Sequence, residues 1–398
     1  MIFLETKSKY CPIKQLCQVI DCEHKTAPYV DSSNYLVVRT SNVRNGVLVL
    51  DDIKYTTQEG FLEWTQRAVP EYGDVLFTRE APAGESCLVP KNLNLCIGQR
   101  MVLLRANKEL INSNFLSFYL TSEKCKREIY KYSIGSTVKR INIEDILKIK
   151  IFCPSITEQE KIARFLGAVD ARLTKLRRKH ELLQTYKRGV MQKIFSQQIR
   201  FKQDDSSSFP DWQKKKLEDV ASFLKGKGLS KDDLSKSGYL KCIRYAELYT
   251  IYDEVIYEVV SSTSLDPDNL VLSLENDVII PSSGETAIDI AKASCVNVSG
   301  VALGGDLNIL RTQMNGNFLS YYLNHHKKIE IARIAQGNTV VHLYSSQLKN
   351  INIEVPIHKE QEKIVNFLIK INRKIEAISR QIEQTELFKK GLLQKMFV

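Results

Sequence analysis

The chain has 398 residues, of which 43% are hydrophobic and 26% are charged, a composition typical of an ordinary globular protein with about two domains. No apolar run approaches the length of about 20 residues that a membrane span needs, and the first residues lack the sustained apolar stretch of a secretory signal, so we expect a cytoplasmic protein. The net charge of +11 permits nucleic-acid binding without establishing it, because residues 201–356 carry more acidic than basic groups.

The nine cysteines are scattered along the chain and form no CxxC pair. An odd number without paired spacing argues against a disulfide framework and against a zinc site, so we expect no metal in this chain. Most of the cysteines are expected to be small buried hydrophobic residues.

In chain order, two globular segments alternate with two long helices. Residues 1–155 mix strand-like runs such as YLVVRT with helical runs such as NFLSFYL, and residues 201–355 do the same. Neither segment shows a parallel strand–helix–strand rhythm or a phosphate-binding glycine loop, so both are predicted to be mixed α/β domains of the α+β class. Residues 156–200 and 356–398 are predicted to be the helices. Residues 201–212, which are polar and rich in Ser, are predicted to be a linker that opens the second domain.

The two halves of the chain repeat each other. PSITEQEKIARFL at Pro154 returns as PIHKEQEKIVNFL at Pro356, and YKRGVMQKIF at Tyr186 returns as FKKGLLQKMF at Phe388. Both pairs align at one offset of about 202 residues, which composition alone does not produce. INSNFLSFYL at Ile111 matches MNGNFLSYYL, GSTV at Gly135 matches GNTV, and GDVLFT at Gly73 is echoed by NDVIIP, whereas the segments before these points diverge. The sequence therefore predicts a pseudo-two-fold internal repeat, and a duplication that builds only a symmetric scaffold is the alternative.

Both predicted helices carry apolar residues at alternating spacings of four and three, a seam that lasts about four and a half heptads. This pattern is the signature of a coiled coil, and each rod would be about 60 Å long. The apolar seam residues are Ile162, Leu166, Val169, Leu173, Leu176, Leu183, Val190 and Ile194 in the first helix, and Ile364, Leu368, Ile371, Ile375, Ile378, Ile382, Leu392 and Met396 in the second.

Polar residues interrupt this seam at His180, Lys187, Thr385 and Lys389. Polar seam residues fix register and orientation, so we interpret His180 as structural. We predict that the two helices pair with each other within one chain, antiparallel; pairing with a second chain is the alternative. Six aromatic residues lie off the seam, where they would anchor partner helices or extend the packing against the domains: Phe165, Tyr186, Phe195, Phe367, Phe388 and Phe397.

Basic, hydroxyl and amide side chains cluster with turn residues in both domains. Arg and Asn form paired hydrogen bonds with guanine and adenine edges, and Ser, Thr and Lys suit phosphates, so these clusters are candidate DNA contacts. Because charged loops are common on protein surfaces, residue type alone identifies no contact. The candidates are His24, Lys25, Arg39, Ser41, Asn42, Arg44, Arg79, Lys139 and Arg140 in the first domain, and Lys225, Lys227, Arg244, Tyr245, Ser282, Ser283 and Lys292 in the second.

With EQEKIARFL, KRGVMQKIF and their repeats, preceded by GSTV and GNTV, the chain resembles the specificity (S) subunit of type I restriction–modification systems. GDVLFTREAPAGE and the FPDW opening of the second half resemble that family as well, so the resemblance covers essentially the whole chain. It implies two target recognition domains, each of which recognises one half of a bipartite DNA sequence. The motifs VIDCEHKTAP and YLVVRTSNVRNG resemble one subgroup and draw attention to His24, Lys25, Arg39, Asn42 and Arg44.

The resemblance also implies partners. In this family the two long antiparallel helices separate the recognition domains, set the non-specific spacer and dock two modification subunits, which methylate adenine with S-adenosylmethionine. Restriction subunits, where present, complete an ATP- and Mg-dependent nuclease. No cofactor and no membrane are therefore expected for this chain itself.

We expect no catalytic residue in the chain. It contains neither the Asn/Asp-Pro-Pro-aromatic loop of an adenine methyltransferase nor a Walker-type loop, and no acidic nuclease cluster is recognisable. The predicted function is sequence-specific DNA binding as the non-catalytic specificity subunit of a methyltransferase and endonuclease complex. The alternative is a coiled-coil assembly or adaptor protein without sequence readout, which would show no salt-dependent DNA binding in the assembled complex.

Overall fold

The computed structural model describes residues 9–22, 27–337 and 339–397. The chain forms two compact units: unit 1 comprises residues 1–178 with 379–398, and unit 2 comprises residues 179–378. Both predicted long helices are present, and each begins in one unit and ends in the other. The division between units therefore falls inside the helices, whereas the sequence pattern places domain boundaries at the helix ends.

Unit 1 is a mixed structure of short strands and short helices. Its strands are β1 (Lys9–Pro12), β2 (Cys17–Asp21), β3 (Tyr35–Val38), β4 (Val43–Arg44), β5 (Val47–Leu48), β6 (Lys54–Thr56), β7 (Val75–Thr78), β8 (Ser86–Leu88), β9 (Asn94–Ile97), β10 (Met101–Ala106) and β11 (Lys150–Cys153). Its helices are α1 (Ile13–Leu16), α2 (Gln58–Trp64), α3 (Ser113–Thr121), α4 (Glu123–Tyr132), α5 (Ile143–Ile146) and the first part of α6 (Ile156–Phe195).

The main sheet of unit 1 has the strand order β2-β10-β7-β8, with every pair antiparallel. Its central strand β10 is buried from Met101 to Leu104, as expected of a strand that is covered on both faces. A second sheet, β6-β3-β9, contains the parallel pair β3 and β9. Helix α3 packs against β7 and β8, and the Asn112 side chain caps it by accepting from the N–H of Phe115.

Unit 2 follows the same plan with additional strands. Its strands are β12 (Gln213–Lys216), β13 (Ala221–Lys225), β14 (Leu240–Ile243), β15 (Val255–Ile256), β16 (Ser262–Thr263), β17 (Val271–Leu272), β18 (Asp277–Pro281), β19 (Ser283–Gly284), β20 (Ser294–Val296), β21 (Ala302–Leu303), β22 (Leu307–Thr312), β23 (Val341–His342) and β24 (Asn352–Val355). Its helices are α7 (Tyr245–Thr250), α8 (Ala287–Ile290), α9 (Gly316–His325), α10 (Lys328–Ile334), α11 (Ser345–Leu348) and the first part of α12 (His358–Met396).

The sheets of unit 2 correspond to those of unit 1. The main sheet is β13-β22-β18-β20-β15, in which β22 takes the place of β10 and is buried from Leu307 to Leu310. The parallel pair β14 and β21 corresponds to β3 and β9, and Asn315 caps α9 as Asn112 caps α3. The predicted α+β class and internal repeat are thus confirmed.

Within unit 1, the start of α6 lies antiparallel to the end of α12. Asp170 pairs with Lys389 at 2.6 Å and Arg177 pairs with Glu386 at 2.6 Å, so residue numbers rise along one helix as they fall along the other. All sixteen apolar seam residues predicted in the two helices are buried or partly buried. Among the described residues, no helix is both long enough and apolar enough to cross a membrane.

Two of the six off-seam aromatic residues are core residues. Phe397 packs edge-on against two rings of α3 in unit 1, and Phe195 packs edge-on against two rings of α9 in unit 2. Phe367 packs against Phe201, with ring centroids 5.6 Å apart. The other three remain about half exposed: Phe165, Tyr186 and Phe388.

The segment predicted as a linker is an ordered loop attached to the start of α12. Phe209 and Trp212 are buried. The Arg200 guanidinium donates to the Pro210 carbonyl oxygen at 2.6 Å and to the Glu360 carboxylate at 2.8 Å, and the Trp212 indole N–H donates to the same carboxylate at 3.1 Å. The Ser-rich composition indicates a loop, but the two aromatic side chains give that loop a buried face.

Candidate nucleic-acid interface

In unit 1, a glycine turn approaches the end of strand β3. Gly98 donates its N–H to the Val38 carbonyl oxygen at 2.8 Å, and Met101 closes the turn by donating to the Gly98 carbonyl oxygen at 3.0 Å. A Cβ atom at position 98 would lie 3.0 Å from the Val38 oxygen, so the close approach favours glycine. The turn therefore packs beside Arg39, the first residue after β3.

Two further segments are attached to this turn by backbone hydrogen bonds. Arg79 donates its N–H to the Arg100 carbonyl oxygen at 2.8 Å, and Ile141 donates to the Arg79 carbonyl oxygen at 2.8 Å. The hairpin that carries the GSTV motif is closed by two bonds between Ile134 and Arg140, at 2.8 and 2.9 Å. The structure thus brings Arg79 and Arg140 together although about 60 residues separate them in sequence.

These segments place basic side chains along one edge of unit 1. Arg100 and Glu80 form an ion pair of 3.6 Å between Nε and Oε2. Arg39 donates to the Asp52 carboxylate at 2.8 Å, and this hydrogen bond holds the pKa of Asp52 below its usual value. An excess of guanidinium groups is the charge that a phosphate backbone attracts. We call five residues the first edge cluster: Arg39, Arg79, Glu80, Arg100 and Arg140.

Unit 2 forms the same turn at the end of strand β14. Gly304 donates its N–H to the Ile243 carbonyl oxygen at 2.9 Å, and Leu307 donates to the Gly304 carbonyl oxygen at 3.1 Å. The residue that follows β14 is Arg244, at the position of Arg39 in unit 1.

The attached segments of unit 2 are bonded in the same way. Ser282 donates its N–H to the Asp306 carbonyl oxygen at 2.8 Å, and Leu343 donates to the Ser282 carbonyl oxygen at 3.1 Å. The GNTV hairpin is closed by bonds of 2.9 and 2.7 Å between Gln336 and His342. We call five residues the second edge cluster: Arg244, Ser282, Ser283, Asp306 and His342.

The side chains of the second edge cluster differ from those of the first. The Ser283 hydroxyl donates to Asp306 Oδ1 at 3.1 Å. The Tyr249 hydroxyl donates to the Ser283 carbonyl oxygen at 3.0 Å, which holds this loop on helix α7. In unit 2, serine hydroxyl groups therefore stand where unit 1 has Arg79 and Glu80. The carboxylate of Asp306 stands where unit 1 has the guanidinium group of Arg100.

A second glycine contact brings two predicted lysines to this edge. Lys227 donates its N–H to the Leu303 carbonyl oxygen at 3.0 Å. A Cβ atom on Gly226 would lie 2.0 Å from the Gly304 carbonyl oxygen, so only glycine fits there. Lys225 and Lys227 flank this glycine and are exposed beside the second edge cluster.

One unsatisfied polar atom occurs at the same place in both edges. The Nε atoms of Arg39 and Arg244 are buried and have no hydrogen-bond partner among the described residues. The rest of each guanidinium group is paired within its own unit, because Arg39 Nη2 lies 2.8 Å from Asp52 Oδ2 and Arg244 Nη2 lies 3.9 Å from Glu247 Oε1.

Asn42, a predicted base contact, is buried and has internal partners. Its Nδ2 group donates to the Val49 carbonyl oxygen at 3.1 Å, and its Oδ1 atom accepts from the Arg39 N–H at 3.0 Å. The amide therefore supports the backbone beside Arg39.

The other first-domain candidates lie in different surroundings. Ser41 and Arg44 are exposed. The Lys139 ammonium group lies 5.0 Å from the centre of a tyrosine ring of α4. His24 and Lys25 lie outside the described residues.

In the second domain, Tyr245 lies at the edge, and Lys292 lies near two carboxylates. Tyr245 follows Arg244 directly, and its ring centroid is 6.1 Å from that of Tyr249. Lys292 is partly buried; burial lowers its pKa, and the nearby carboxylates of Asp253 and Glu254 oppose that effect. The structure therefore places Lys292 near the acidic pair Asp253 and Glu254.

Arg100 and Asp306 were not among the residues that the sequence patterns selected. Both are exposed at the end of an edge turn. The signal is nevertheless in the sequence, because CIGQRMVLLR and ALGGDLNILR align as another part of the repeat, with Arg100 and Asp306 at the same position. In the part of the chain that the structure describes, no group of three or more His, Cys, Asp or Glu side chains is placed to hold a metal ion.

A comparison with protein families identifies the chain. The model of the type I restriction modification DNA specificity domain matches residues 6–184 and again residues 210–387. The chain belongs to this family. The two matches agree with the internal repeat, and the role of this specificity subunit is the recognition of a DNA sequence, as the repeated motifs predicted.

Curated relatives and solved structures agree. The specificity subunit is 25% identical over 403 residues to a putative type I restriction enzyme MjaX specificity subunit of Methanocaldococcus jannaschii, with 96% of this chain and 90% of that relative covered. It is 20% identical over 380 residues to the type I restriction enzyme StySPI specificity subunit of Salmonella potsdam, with 89% of this chain and 79% of that relative covered.

A crystal structure of the type-I restriction-modification system S subunit from M. genitalium matches with a TM-score of 0.63 at 16% identity, over 100% of this chain and 98% of that one. A chain from a structural study of complex assembly and conformational transition of the type I R-M system matches with a TM-score of 0.59 at 19% identity, over 100% and 99%. These structures show the same fold.

Proposed function

We propose that each unit of this specificity subunit recognises one half of a bipartite sequence in double-stranded DNA through its edge cluster. The observation that carries the proposal is that the two edges share their backbone hydrogen bonds but differ in their side chains. A common way of docking on the double helix requires a common backbone, because phosphate contacts position a protein without regard to sequence. Unlike half-sites require unlike side chains at the base edges.

The charges of the two edges fit this role. The first edge cluster contains four guanidinium groups, which suit both phosphates and guanine. The second edge cluster is less basic, and the adjacent Lys225 and Lys227 supply the positive charge that phosphates need there. Local basic patches therefore replace the uniformly basic surface that the acidic composition of residues 201–356 excludes.

We further propose that α6 and α12 set the spacer between the half-sites and dock two modification subunits. Tyr186 and Phe388 are about half exposed and occupy equivalent positions of the repeat. Exposed aromatic side chains on a helix are typical anchors of protein interfaces. The same anchor in both copies suits two identical partners.

In this proposal the chemistry belongs to the partners. The modification subunits would bind S-adenosylmethionine and methylate adenine, and restriction subunits would use ATP and Mg. The sequence lacks the motifs of both activities, which supports a non-catalytic role for this chain. The assembled complex would act in the cytoplasm, where it meets DNA.

A methylation map tests the proposal. The chain is co-expressed with the methyltransferase subunit of its system, and modified adenines are located by long-read sequencing. We expect a split motif with a constant spacer that is absent when the chain is omitted. A contiguous motif, or methylation that does not depend on the chain, would refute the proposed function.

A further inference from the structure

We propose that Arg100 and Asp306 are specificity-determining residues that occupy the same place in the two units and recognise different bases. This inference rests on the proposed function, in which each edge faces one half-site. Arg100 would donate to guanine in the half-site of unit 1, and Asp306 would accept from the amino group of cytosine in the half-site of unit 2. These are the pairings that the hydrogen-bonding groups of Arg and Asp favour in the major groove.

The backbone around the two residues is the same. The carbonyl oxygen of Arg100 accepts from the N–H of Arg79, and that of Asp306 accepts from the N–H of Ser282, both at 2.8 Å. The strands that follow the two turns contain the same ion pair, which supports the alignment. Arg105 of β10 pairs with Asp74, and Arg311 of β22 pairs with Asp277. Because the hydrogen bonds of the turn are the same, the side chains of Arg100 and Asp306 leave the backbone at equivalent positions.

The side-chain pair at this position has opposite polarity in the two units. In unit 1 the turn residue Arg100 is cationic and the loop residue Glu80 is anionic. In unit 2 the turn residue Asp306 is anionic, and the loop residue Ser283 donates to it. The pair Arg105–Asp74, only five residues further along the chain, keeps its polarity in unit 2 as Arg311–Asp277. The inversion is therefore local to the edge.

An exposed carboxylate beside a phosphate backbone is unfavourable unless it meets a hydrogen-bond donor. Cytosine and adenine offer amino donors in the major groove, so Asp306 has a role at a base edge that it does not have at a phosphate. A base edge in the half-site of unit 2 therefore accounts for an exposed carboxylate at this turn.

The residues common to the two edges suit the sequence-independent contacts. The hairpins that carry GSTV and GNTV expose Thr137 and Thr339, whose hydroxyl groups are able to donate to phosphates, next to Val138 and Val340. The repeated hairpins would thus hold both units on the DNA in one way, while the turn residues distinguish the half-sites.

The test is a methylation map of single variants of the full chain, co-expressed with its methyltransferase subunit. For Arg100→Ala we expect the preference for guanine at one position of one half-site to fall about tenfold, with the other half-site unchanged. For Asp306→Ala we expect the same loss of a cytosine preference in the other half-site. Asp306→Asn is expected to change that preference from cytosine to adenine, because Asn pairs with adenine N6 and N7.

Exposed residues away from the edges provide matched controls. Arg127→Ala and Asp205→Ala remove the same charges and are expected to leave every position of the motif unchanged; Asp205 lies in the loop attached to the start of α12. Retention of the wild-type motif by the Arg100 and Asp306 variants would overturn the inference, as would an equal loss at all positions of both half-sites. Loss of assembly with the methyltransferase in these variants would overturn it too, because the residues would then be structural. Absence of a split motif for the wild-type chain would instead refute the proposed function.

Discussion

The two long helices begin with the same Glu-Gln pair, and the glutamines have the same role in both units. Gln159 accepts from the N–H of Asn112 at 2.8 Å, and Gln361 accepts from the N–H of Asn315 at 2.9 Å. Each glutamine therefore attaches the start of a long helix to the cap of the helix that follows the central strand. Both glutamines are buried, which suits a structural hydrogen bond.

The glutamates of the same pair differ. Glu360 is fully buried and accepts from Arg200 and Trp212, whereas Glu158 is only partly buried. Gln213 lies opposite Val355 as Lys9 lies opposite Cys153, so Trp212 corresponds to Ser8, a residue outside the described part of the chain. A repeated residue therefore keeps its role only where its partners are repeated as well.

The two seam lysines lead to the same conclusion. Lys187 and Lys389 each lie 5.6 Å from the centre of an aromatic ring, at the same position of α9 and of α3. The carboxylates that they pair with are not equivalent: Lys187 pairs with Glu254, and Lys389 pairs with Asp170. Polar seam residues thus make specific contacts within each unit, in line with a structural interpretation.

The largest expected difference in stability between the units follows from substitutions in the first turns of α6 and α12. Glu360→Ala leaves the Arg200 guanidinium without its buried partner, which is expected to cost unit 2 about 3–5 kcal/mol. The matched variant Glu158→Ala removes a partly exposed charge in the first turn of a helix and is expected to cost less than about 1 kcal/mol. Hydrogen–deuterium exchange measures the two units separately: α9 and β24 report the stability of unit 2, and α3 and β11 report that of unit 1. Equal destabilisation of both units by their own variants would contradict the comparison.

A smaller difference in stability, which depends on pH, is expected from the buried carboxyl group of Glu254 in unit 2. Burial alone would raise the pKa of this carboxyl group, but the hydrogen bond with His325 and the charge of Lys187 outweigh burial and lower the pKa to about 2. A lowered pKa in the folded state stabilises unit 2 above the ordinary value of 4.5, and this contribution is lost as the pH falls towards 2.

The two tryptophans allow a direct measurement of this effect. In a Trp64→Phe background, the fluorescence of Trp212 reports the unfolding of unit 2 alone. We expect the stability of unit 2 to fall more steeply below pH 4.5 when Glu254 is present than in the Glu254→Gln variant. Parallel pH profiles of the two proteins would show that Glu254 makes no such contribution.

The features of the fold that depend on local periodicity could be predicted from the sequence. The heptad spacing identifies the packed faces of α6 and α12, because seam positions recur every three and four residues. The constant offset identifies the repeat without any knowledge of contacts. By contrast, the network of Glu360 with Arg200 joins residues 160 positions apart, and no local pattern contains it.

The candidate site could be predicted only in part, for a related reason. Residue type selects Arg79 and Ser282, which lie in the edge clusters, but it also selects Asn42, whose amide is used inside unit 1. Arg100 and Asp306 become visible only when the two halves are compared through the shared turn. The informative signal is the difference between equivalent positions, which a single loop does not contain.

The most direct test of DNA recognition by two separate halves is an exchange of one half. Residues 1–155 are replaced by the corresponding segment of another specificity subunit with a known target, and the methylated adenines of the resulting complex are mapped. We expect a motif in which one half-site changes while the spacer and the other half-site remain. A change in both half-sites, or in neither, would contradict this expectation.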